Sequence, residues 1–159
     1  MCIRDSNDYN PVHELAEVRD GISSLTVEQK TAFDDIMNAV YTNAQSTRAP
    51  DSNNLFFINA PAGTGKTKLI ETIVHQIRGN KNVPVVSAWT EIAASLIRDG
   101  RTVHSVFKLP VPLYENLTCS LTFNSKQAQH LRNAKVIIIN EISMVSYHAL
   151  NAIDTYLKG

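Results

Sequence analysis

The stretch that most constrains the fold is APAGTGKT, at residues 60–67, which stands between an apolar run and an amphipathic helical pattern. LFFIN at 55–59 predicts a short buried strand before it, and apolar spacing predicts a helix over about 65–77. Between a strand and a helix, a glycine-rich turn can direct consecutive backbone N–H groups at a phosphate. The sequence therefore predicts a phosphate-binding loop.

The residue types in this loop suit a nucleoside triphosphate. Lys66 supplies a full positive charge for the β and γ phosphates of ATP, and the Thr67 hydroxyl is placed to ligate Mg²⁺. Ala60 stands where such loops usually begin with glycine, a position that opens the turn rather than crowding the phosphates. The alternative is a glycine-rich turn followed by a chance Lys-Thr pair. The predicted backbone contacts to the phosphates come from Ala62, Gly63, Thr64 and Gly65.

Apolar runs alternate with helical patterns along the rest of the chain. VPVVSA at 83–88 and VIII at 136–139 predict two more buried strands. Helices are predicted over about 26–44, 91–99 and 145–157, the first opened by a Thr26–Gln29 capping box. This alternation predicts an α/β fold with a parallel sheet covered by helices on both faces. Residues 1–23 are predicted to be a tail or a weak helix around 13–19, and residues 24–159 a single domain.

Asn140 and Glu141 follow the apolar strand 136–139 directly. A phosphate-binding loop works with a second strand that ends near the metal, where one acid holds the magnesium and a neighbouring Glu polarises water. Glu141 is therefore the predicted general base. Asn140 keeps a carbonyl oxygen that can accept a hydrogen bond from a metal-bound water, but it lacks the negative charge of an acid. A simple strand-end turn is the alternative.

Composition limits the class of protein and its partners. With 43% hydrophobic and 19% charged residues the chain is typical of globular proteins, and a formal net charge of zero gives no global positive field. Cys2 and Cys119 have neither disulfide-framework nor zinc-site spacing. No apolar run is long enough to span a bilayer, and no secretory signal is recognisable. An intracellular protein without a membrane partner is expected.

Four stretches together resemble superfamily-one DNA helicases of the Pif (petite integration frequency) type, including the helicase modules of Helitron transposons. The resemblance covers residues 25–157 and implies the first RecA-like lobe of an ATP-dependent 5′-to-3′ helicase acting on single-stranded DNA. It also implies a role in DNA repair, recombination or telomere maintenance, in the nucleus of a eukaryote or the cytoplasm of a bacterium. The stretches are LTVEQKTAFDDI, FFINAPAGTGKT, TEIAASLIRDGRTVHSVFKLP and NEISMV.

By this resemblance, Gln29 reads the adenine edge, a role that competes with its place in the capping box. His104 could equally be a structural histidine, and Trp89 could stack a base or simply pack in the core. Short hydroxyl and imidazole side chains can hold sugar and phosphate without reading sequence. The residues implied along the single-stranded DNA are Thr90, Thr102, His104 and Ser105.

Two positions depart from the family pattern. Asn140 replaces an Asp, and Glu91 places a negative charge where a small residue is usual. Both changes keep open a second hypothesis, a catalytically inactive nucleotide-binding or DNA-binding remnant. A third, an unrelated P-loop ATPase such as a viral packaging or chaperone-like module, leaves GRTVHSVFKLP unexplained.

The chain ends at Gly159, one predicted helix after Glu141. The resemblance implies a partner that is missing here, the second RecA-like lobe with its arginine, and a further strand that inserts between the strands of the two nucleotide motifs. We therefore expect a partial, marginally stable first lobe that binds nucleotide weakly and unwinds nothing alone.

Overall fold

A computed structural model of the chain describes residues 9–42, 55–61, 63–112 and 118–158. The chain divides into two compact units. The helical unit lies within Ser6–Asn82, and the sheet unit lies within Val83–Gly159.

Helices α1 and α2 of the helical unit pack on the third helix, α3. The Asn10 side chain caps α1 by accepting from the Val12 N–H at 3.0 Å. The predicted weak helix at 13–19 is thus a 13-residue helix, with Val18 buried. The three helices are α1 (Pro11–Ser23), α2 (Val27–Thr42) and α3 (Lys66–Gly79).

The capping box at the start of α2 is confirmed. The Gln29 N–H donates to Thr26 Oγ1 at 3.3 Å, and the Thr26 N–H donates to Gln29 Oε1 at 2.9 Å. These two bonds satisfy backbone donors that a helix start leaves without an intrahelical partner. Phe33 and Ile36 are the residues that α2 buries.

The sheet unit contains a three-stranded parallel sheet in the order β2-β1-β3, which confirms the α/β class. Strand β1 matches its predicted bounds, and β3 extends the predicted strand 136–139 at both ends. Helix α4 is shorter than the predicted 91–99, because the chain turns at Leu96 and Asp99 has a positive φ of 63°. The elements are β1 (Val83–Ala88), α4 (Glu91–Ser95), β2 (Arg101–Thr102), α5 (Val103–Phe107), α6 (Lys126–Arg132), β3 (Ala134–Asn140), a 3₁₀ turn (Ile142–Met144) and α7 (Tyr147–Lys158).

One hydrophobic cluster joins β1 to the helices of the sheet unit. Val85 and Val86, on opposite faces of β1, are both buried, so the strand is covered on both sides. Cys119 packs beside the cluster, and burial raises the pKa of its thiol to about 11, so the thiol stays protonated at neutral pH. The buried members of the cluster are Val85, Val103, Val106, Phe107, Leu109, Leu131, Val145, Ala149, Ala152 and Ile153.

The predicted buried strand at 55–59 is wrong. Residues 55–59 form no strand in the part of the chain that the structure describes, and the side chains of residues 55–58 are exposed. Leu55 is 85% and Phe57 73% exposed. An apolar run favours burial, but a strand forms only where a neighbouring strand supplies hydrogen bonds. The predicted loop at 46–54 lies outside the described residues.

Strand β3 pairs with β1 on one side, and none of the described residues pairs with its other side. All seven of its residues keep some exposure, so the strand predicted to be buried is only partly so. At the opposite end of the sheet order, Gly100 allows the chain to pass close to α4. A Cβ at Gly100 would lie 2.3 Å from the Ala94 carbonyl oxygen, which no side chain can tolerate.

Within the described residues, none of the helices has the length and apolar character that crossing a bilayer requires.

Candidate nucleotide-binding loop and nucleic-acid-binding edge

The predicted phosphate-binding loop, residues 60–67 and here called the phosphate loop, turns at two glycines. Gly63 and Gly65 have φ angles of 77° and 81°, a left-handed conformation that glycine adopts without cost. A Cβ added at Gly63 would meet no atom within 4 Å, so open space lies over the loop there. Gly65 is the N-cap of the 14-residue helix α3, and as a glycine it makes no side-chain capping hydrogen bond. Ala62 lies outside the described residues.

Lys66 lies in the first turn of α3 and points back into the loop. Its Nζ donates to the Ala60 carbonyl oxygen and, at 2.8 Å, to the Pro61 carbonyl oxygen. Thr64 Oγ1 donates to the same Pro61 oxygen at 2.7 Å. The loop is therefore closed on itself by hydrogen bonds, and the Lys66 ammonium keeps donor capacity for a ligand, because an ammonium has three N–H groups.

Thr67 follows Lys66 in the first turn and is partly buried. Among the described residues its hydroxyl makes no hydrogen bond, which leaves both the proton and the lone pairs available to a ligand. A hydroxyl at this place suits an oxygen-seeking cation such as Mg²⁺.

Gln29 connects the start of α2 to the phosphate loop. While its Oε1 accepts from Thr26, its Nε2 donates to the Thr64 carbonyl oxygen at 2.5 Å. The capping box and the predicted adenine contact compete for the Gln29 side chain, and the Thr64 carbonyl oxygen is a third partner for it. The primary amide has a second N–H, so one donor remains for a nucleotide base.

The carboxyl ends of the three strands lie level and form one edge of the sheet, which we call the strand-end edge. The strand register pairs Ala88 with Thr102 on one side and with Asn140 on the other. The residues that follow each strand therefore lie at the same edge, which is where ligands of open α/β sheets usually bind. The strand-end edge comprises Ala88–Thr90, Thr102–Ser105 and Asn140–Glu141.

Glu141 occupies the strand-end edge in a costly backbone conformation. Its φ of 55° and ψ of 42° are left-handed. Glu141 is exposed, so its carboxylate faces water. A non-glycine residue in this region costs about 1–2 kcal/mol. Asn140, the last residue of β3, is partly buried and paired in register with Ala88.

The predicted DNA-binding residues of the edge make local hydrogen bonds. Thr90 Oγ1 accepts from the Ala93 N–H at 3.2 Å, and Thr102 Oγ1 accepts from the Ser105 N–H at 3.1 Å, so each threonine caps a short helix. A hydroxyl that accepts such a bond can still donate its proton to a phosphate oxygen. Both hydroxyls therefore cap a helix and can still donate a hydrogen bond to a ligand.

Sequence analysis missed a contact of Arg101 in this edge. Its Nη2 donates to Ser105 Oγ at 2.9 Å, which orients the serine hydroxyl. The Gln127 Nε2 also donates to the carbonyl oxygens of Ser105 and, at 2.6 Å, Val106. Neither contact left a signal in the sequence, because Arg101 lies in β2 and not on the helix of Ser105, and Gln127 is more than twenty residues away.

His104 contacts Trp89 across the strand-end edge. The two ring centroids lie 4.6 Å apart with an interplanar angle of 52°. Both rings are partly exposed, and the indole also packs beside the hydrophobic cluster. His104 is thus both a structural neighbour of Trp89 and accessible to a ligand.

The structure brings the predicted site residues together in two groups. Those in the helical unit meet around the phosphate loop: Gln29, Gly63, Thr64, Gly65, Lys66 and Thr67. Those in the sheet unit meet along the strand-end edge: Thr90, Thr102, His104, Ser105, Asn140 and Glu141.

The sequence profile of PIF1-like helicases matches residues 24–159, which is most of the chain. The chain belongs to the PIF1-like helicase family. The matched region contains both groups of predicted site residues, while the whole of α1 precedes it.

Curated PIF1-like relatives agree with this assignment. The chain is 32% identical over 159 residues to the ATP-dependent DNA helicase PIF1 of Candida albicans, covering 97% of this chain and 17% of that protein. It is 29% identical over 126 residues to the ATP-dependent DNA helicase dda of Enterobacteria phage T4, covering 76% of this chain and 26% of that one. A Pif1 helicase of a Psychrobacter species is 31% identical over 104 residues, covering 64% and 16%. The chain thus spans about a quarter or less of the length of these relatives.

Proposed function

We propose that this chain forms part of the first motor lobe of an ATP-dependent DNA helicase that moves 5′ to 3′ on single-stranded DNA. The observation that carries the proposal is the phosphate loop, with two left-handed glycines, open space over Gly63 and Lys66 beside it at the start of α3. Membership in the PIF1-like helicase family supports the proposed reaction, because curated relatives of the chain are described as ATP-dependent DNA helicases.

In this proposal the phosphate loop binds the triphosphate of ATP. The backbone amides around Gly63 and Gly65 hold phosphate oxygens, and Lys66 exchanges its loop carbonyl partners for the β and γ phosphates. Gln29 contributes its remaining amide N–H to the adenine edge while it keeps the loop attached to α2. The open cradle and the donor set both fit a nucleotide.

Thr67 and Asn140 are the proposed contacts of Mg²⁺, Thr67 as a direct ligand and Asn140 through water. A magnesium ion would supply charge neutralisation for the phosphates. Glu141 is the proposed general base, which accepts a proton from the water that attacks the γ phosphate. Its solvent-facing carboxylate at the end of β3 is consistent with that role.

The single-stranded DNA is proposed to run along the strand-end edge. Thr90, Thr102 and Ser105 offer hydroxyl protons to the sugar-phosphate backbone, and His104 offers an imidazole ring. These contacts carry no sequence information, which suits a motor that must pass over any base. A second RecA-like lobe, with an arginine that completes the nucleotide site, would be the partner of this lobe. A role of the whole helicase in DNA repair, recombination or telomere maintenance belongs to the same proposal.

Replacing Lys66 tests the nucleotide site against a matched neighbour. We expect Lys66→Ala to weaken binding of a fluorescent ATP analogue by about tenfold or more, since a charge-assisted contact to phosphate is lost. Lys68→Ala removes an equally charged but exposed side chain one half-turn further along α3 and should change affinity less than about twofold. Equal effects of the two variants in the fluorescence titration would contradict the proposed site.

A second candidate function, a nucleotide-binding or DNA-binding remnant without hydrolysis, is favoured by two residues. Asn140 lacks the charge of an acid beside the proposed metal, and Glu91 adds a negative charge close to Thr90 in the proposed DNA track. Glu91 also has a structural role, since an acid in the first turn of α4 suits the helix dipole. The two candidates differ in whether the site hydrolyses ATP, so DNA-stimulated phosphate release from the whole helicase that rises from background only in Asn140→Asp would favour the remnant.

A further inference from the structure

The strand-end edge carries an aromatic pair that the nucleotide chemistry does not use. Trp89 directly follows β1, and His104 comes two residues after Thr102, the last residue of β2. Because Ala88 and Thr102 are paired in register, the sheet itself brings the two rings together, with centroids 4.6 Å apart. The pair is therefore a product of the sheet geometry and not of a flexible loop.

The indole is supported from the inside and open from the outside. Trp89 packs beside the cluster that contains Val103 and Phe107, both 0% exposed, so its inner side rests on rigid core. The ring as a whole remains only partly buried. Packing alone favours burying more of the apolar indole, yet the ring keeps part of its surface exposed.

The surroundings of the indole suit a nucleobase with its backbone. Thr90 follows Trp89 in the chain, and Thr102 and Ser105 are close to His104 in the chain, so each ring has hydroxyl-bearing residues near it along the strand-end edge. An aromatic face bordered by hydroxyls combines stacking for a base with hydrogen bonds for the adjoining phosphate. The stacking energy is available to every base, because each has a π face.

We propose that Trp89, oriented by His104, is a stacking platform for one unpaired nucleobase of single-stranded DNA. This inference rests on the proposed DNA-binding function and adds to it a defined subsite. The base stacks on the exposed part of the indole, while Thr90 and Thr102 contact its backbone.

Fluorescence gives a direct readout, because Trp89 is the only tryptophan of the chain. We expect oligothymidylate, titrated at low salt, to quench the emission of the wild-type chain in parallel with binding measured by anisotropy of a labelled strand. A fully abasic strand of equal length should bind more weakly and leave the emission unchanged. Quenching by the abasic strand equal to that by oligothymidylate would overturn the platform.

Substitution gives the second arm of the test. Trp89→Leu should weaken anisotropy-measured binding of oligothymidylate by about tenfold and leave binding of the abasic strand within twofold, whereas Trp89→Phe should fall between wild type and Trp89→Leu. Tyr147→Leu is the matched control, since Tyr147 also lies beside a histidine ring, at 5.8 Å, and is 75% exposed. It should bind both strands as wild type does. Loss of both strands equally in Trp89→Leu would mean that the side chain only supports the fold, and would also overturn the platform.

The outcomes distinguish failure of the stacking platform from failure of the proposed DNA-binding function. If the wild-type chain binds neither strand, the proposed DNA-binding function fails and the platform fails with it. If it binds oligothymidylate while Trp89 emission and Trp89→Leu affinity stay unchanged, the platform alone is wrong.

Discussion

Asn140 and Glu141 are neighbours at the end of β3, but their backbone conformations differ. Asn140 remains in the strand, in register with Ala88, whereas Glu141 turns into the left-handed region with a φ of 55°. An exposed glutamate gains no packing that would offset the cost of about 1–2 kcal/mol. Backbone strain of this kind concentrates at functional sites, which supports the proposed role of Glu141 as general base.

Restoring an acid at Asn140 should strengthen magnesium-dependent nucleotide binding. A unit charge about 5 Å from a divalent ion contributes several kcal/mol at an effective dielectric near 20, before desolvation is subtracted. We therefore expect Asn140→Asp to lower the Mg²⁺ concentration needed for half-maximal binding of a fluorescent ATP analogue by about tenfold. The measurement is a Mg²⁺ titration at fixed nucleotide.

The control for this prediction lies at the other end of the same strand. Asn133 directly precedes β3 and is exposed, so Asn133→Asp adds the same charge far from the strand-end edge. It should leave the Mg²⁺ titration within about twofold of wild type. The proposed metal contact is wrong if the two substitutions act alike, or if neither changes the titration.

At the residue level, sequence reasoning identified the types of group and missed their contacts. Lys66 and Thr67 could be named because a phosphate-binding loop needs those side chains at that spacing. The bonds from Lys66 to the Ala60 and Pro61 carbonyls follow from the path of the loop, which the spacing does not specify. Gln29 bonds to Thr64, 35 residues away, and no local pattern reports a contact at that separation.

Among the elements, α1 is tied to α3 by an ionisable pair. Glu14 is 2% exposed, and its Oε2 lies 2.6 Å from Nδ1 of His75, whose side chain is 17% exposed. A buried carboxylate is tolerated only when hydrogen-bonded, so the pair fixes how α1 docks on the helix that begins at the phosphate loop. Helix α1 lies wholly before the region that matches the helicase family, yet it packs on α3, which lies inside that region.

Removing Glu14 should therefore destabilise the helical unit. We expect Glu14→Ala to lower the free energy of unfolding by about 2–4 kcal/mol, because the His75 ring loses its carboxylate partner in a buried site. Glu17→Ala is the comparison on the same helix: its contact with His13 spans 3.7 Å between side chains that are 46% and 61% exposed. Such an exposed pair should be worth at most about 0.5 kcal/mol. Urea unfolding followed by circular dichroism measures both, and similar losses would refute a special role for Glu14.

How far the elements were predictable depended on their length and on their neighbours. β1 matched because a run of apolar residues bounded by turns carries its own signal, and α2 matched through its capping box. α5 and α6 were missed, since helices of five and seven residues are too short to show a period, although Thr102 and Ser125 cap them. The strand prediction at residues 55–59 failed for the opposite reason. The apolar signal is strong, but strand pairing is not a local property.

At the level of the whole molecule, apolar surface remains uncovered in both units. Phe56 is 45% and Ile58 39% exposed, and they alternate with the more exposed Leu55 and Phe57. Strand β3 has an unpaired side in the described structure. Each exposed Å² forgoes about 25 cal/mol of stabilisation. An exposed apolar segment without charge or proline is a usual starting point for self-association, and so is an open strand edge.

The chain should therefore melt at low temperature and aggregate through residues 55–58. We expect a thermal midpoint below about 55 °C by circular dichroism, within the lower part of the range for mesophilic domains. Phe57→Thr should reduce light scattering on heating without raising the midpoint by more than a few degrees, because it removes an exposed apolar ring and no core contact. Val12→Thr, at a residue 78% exposed on α1, should leave scattering unchanged. A cooperative transition well above 55 °C would contradict the predicted low stability. Equal light scattering from the two variants would exclude residues 55–58 as the segment through which the chain aggregates.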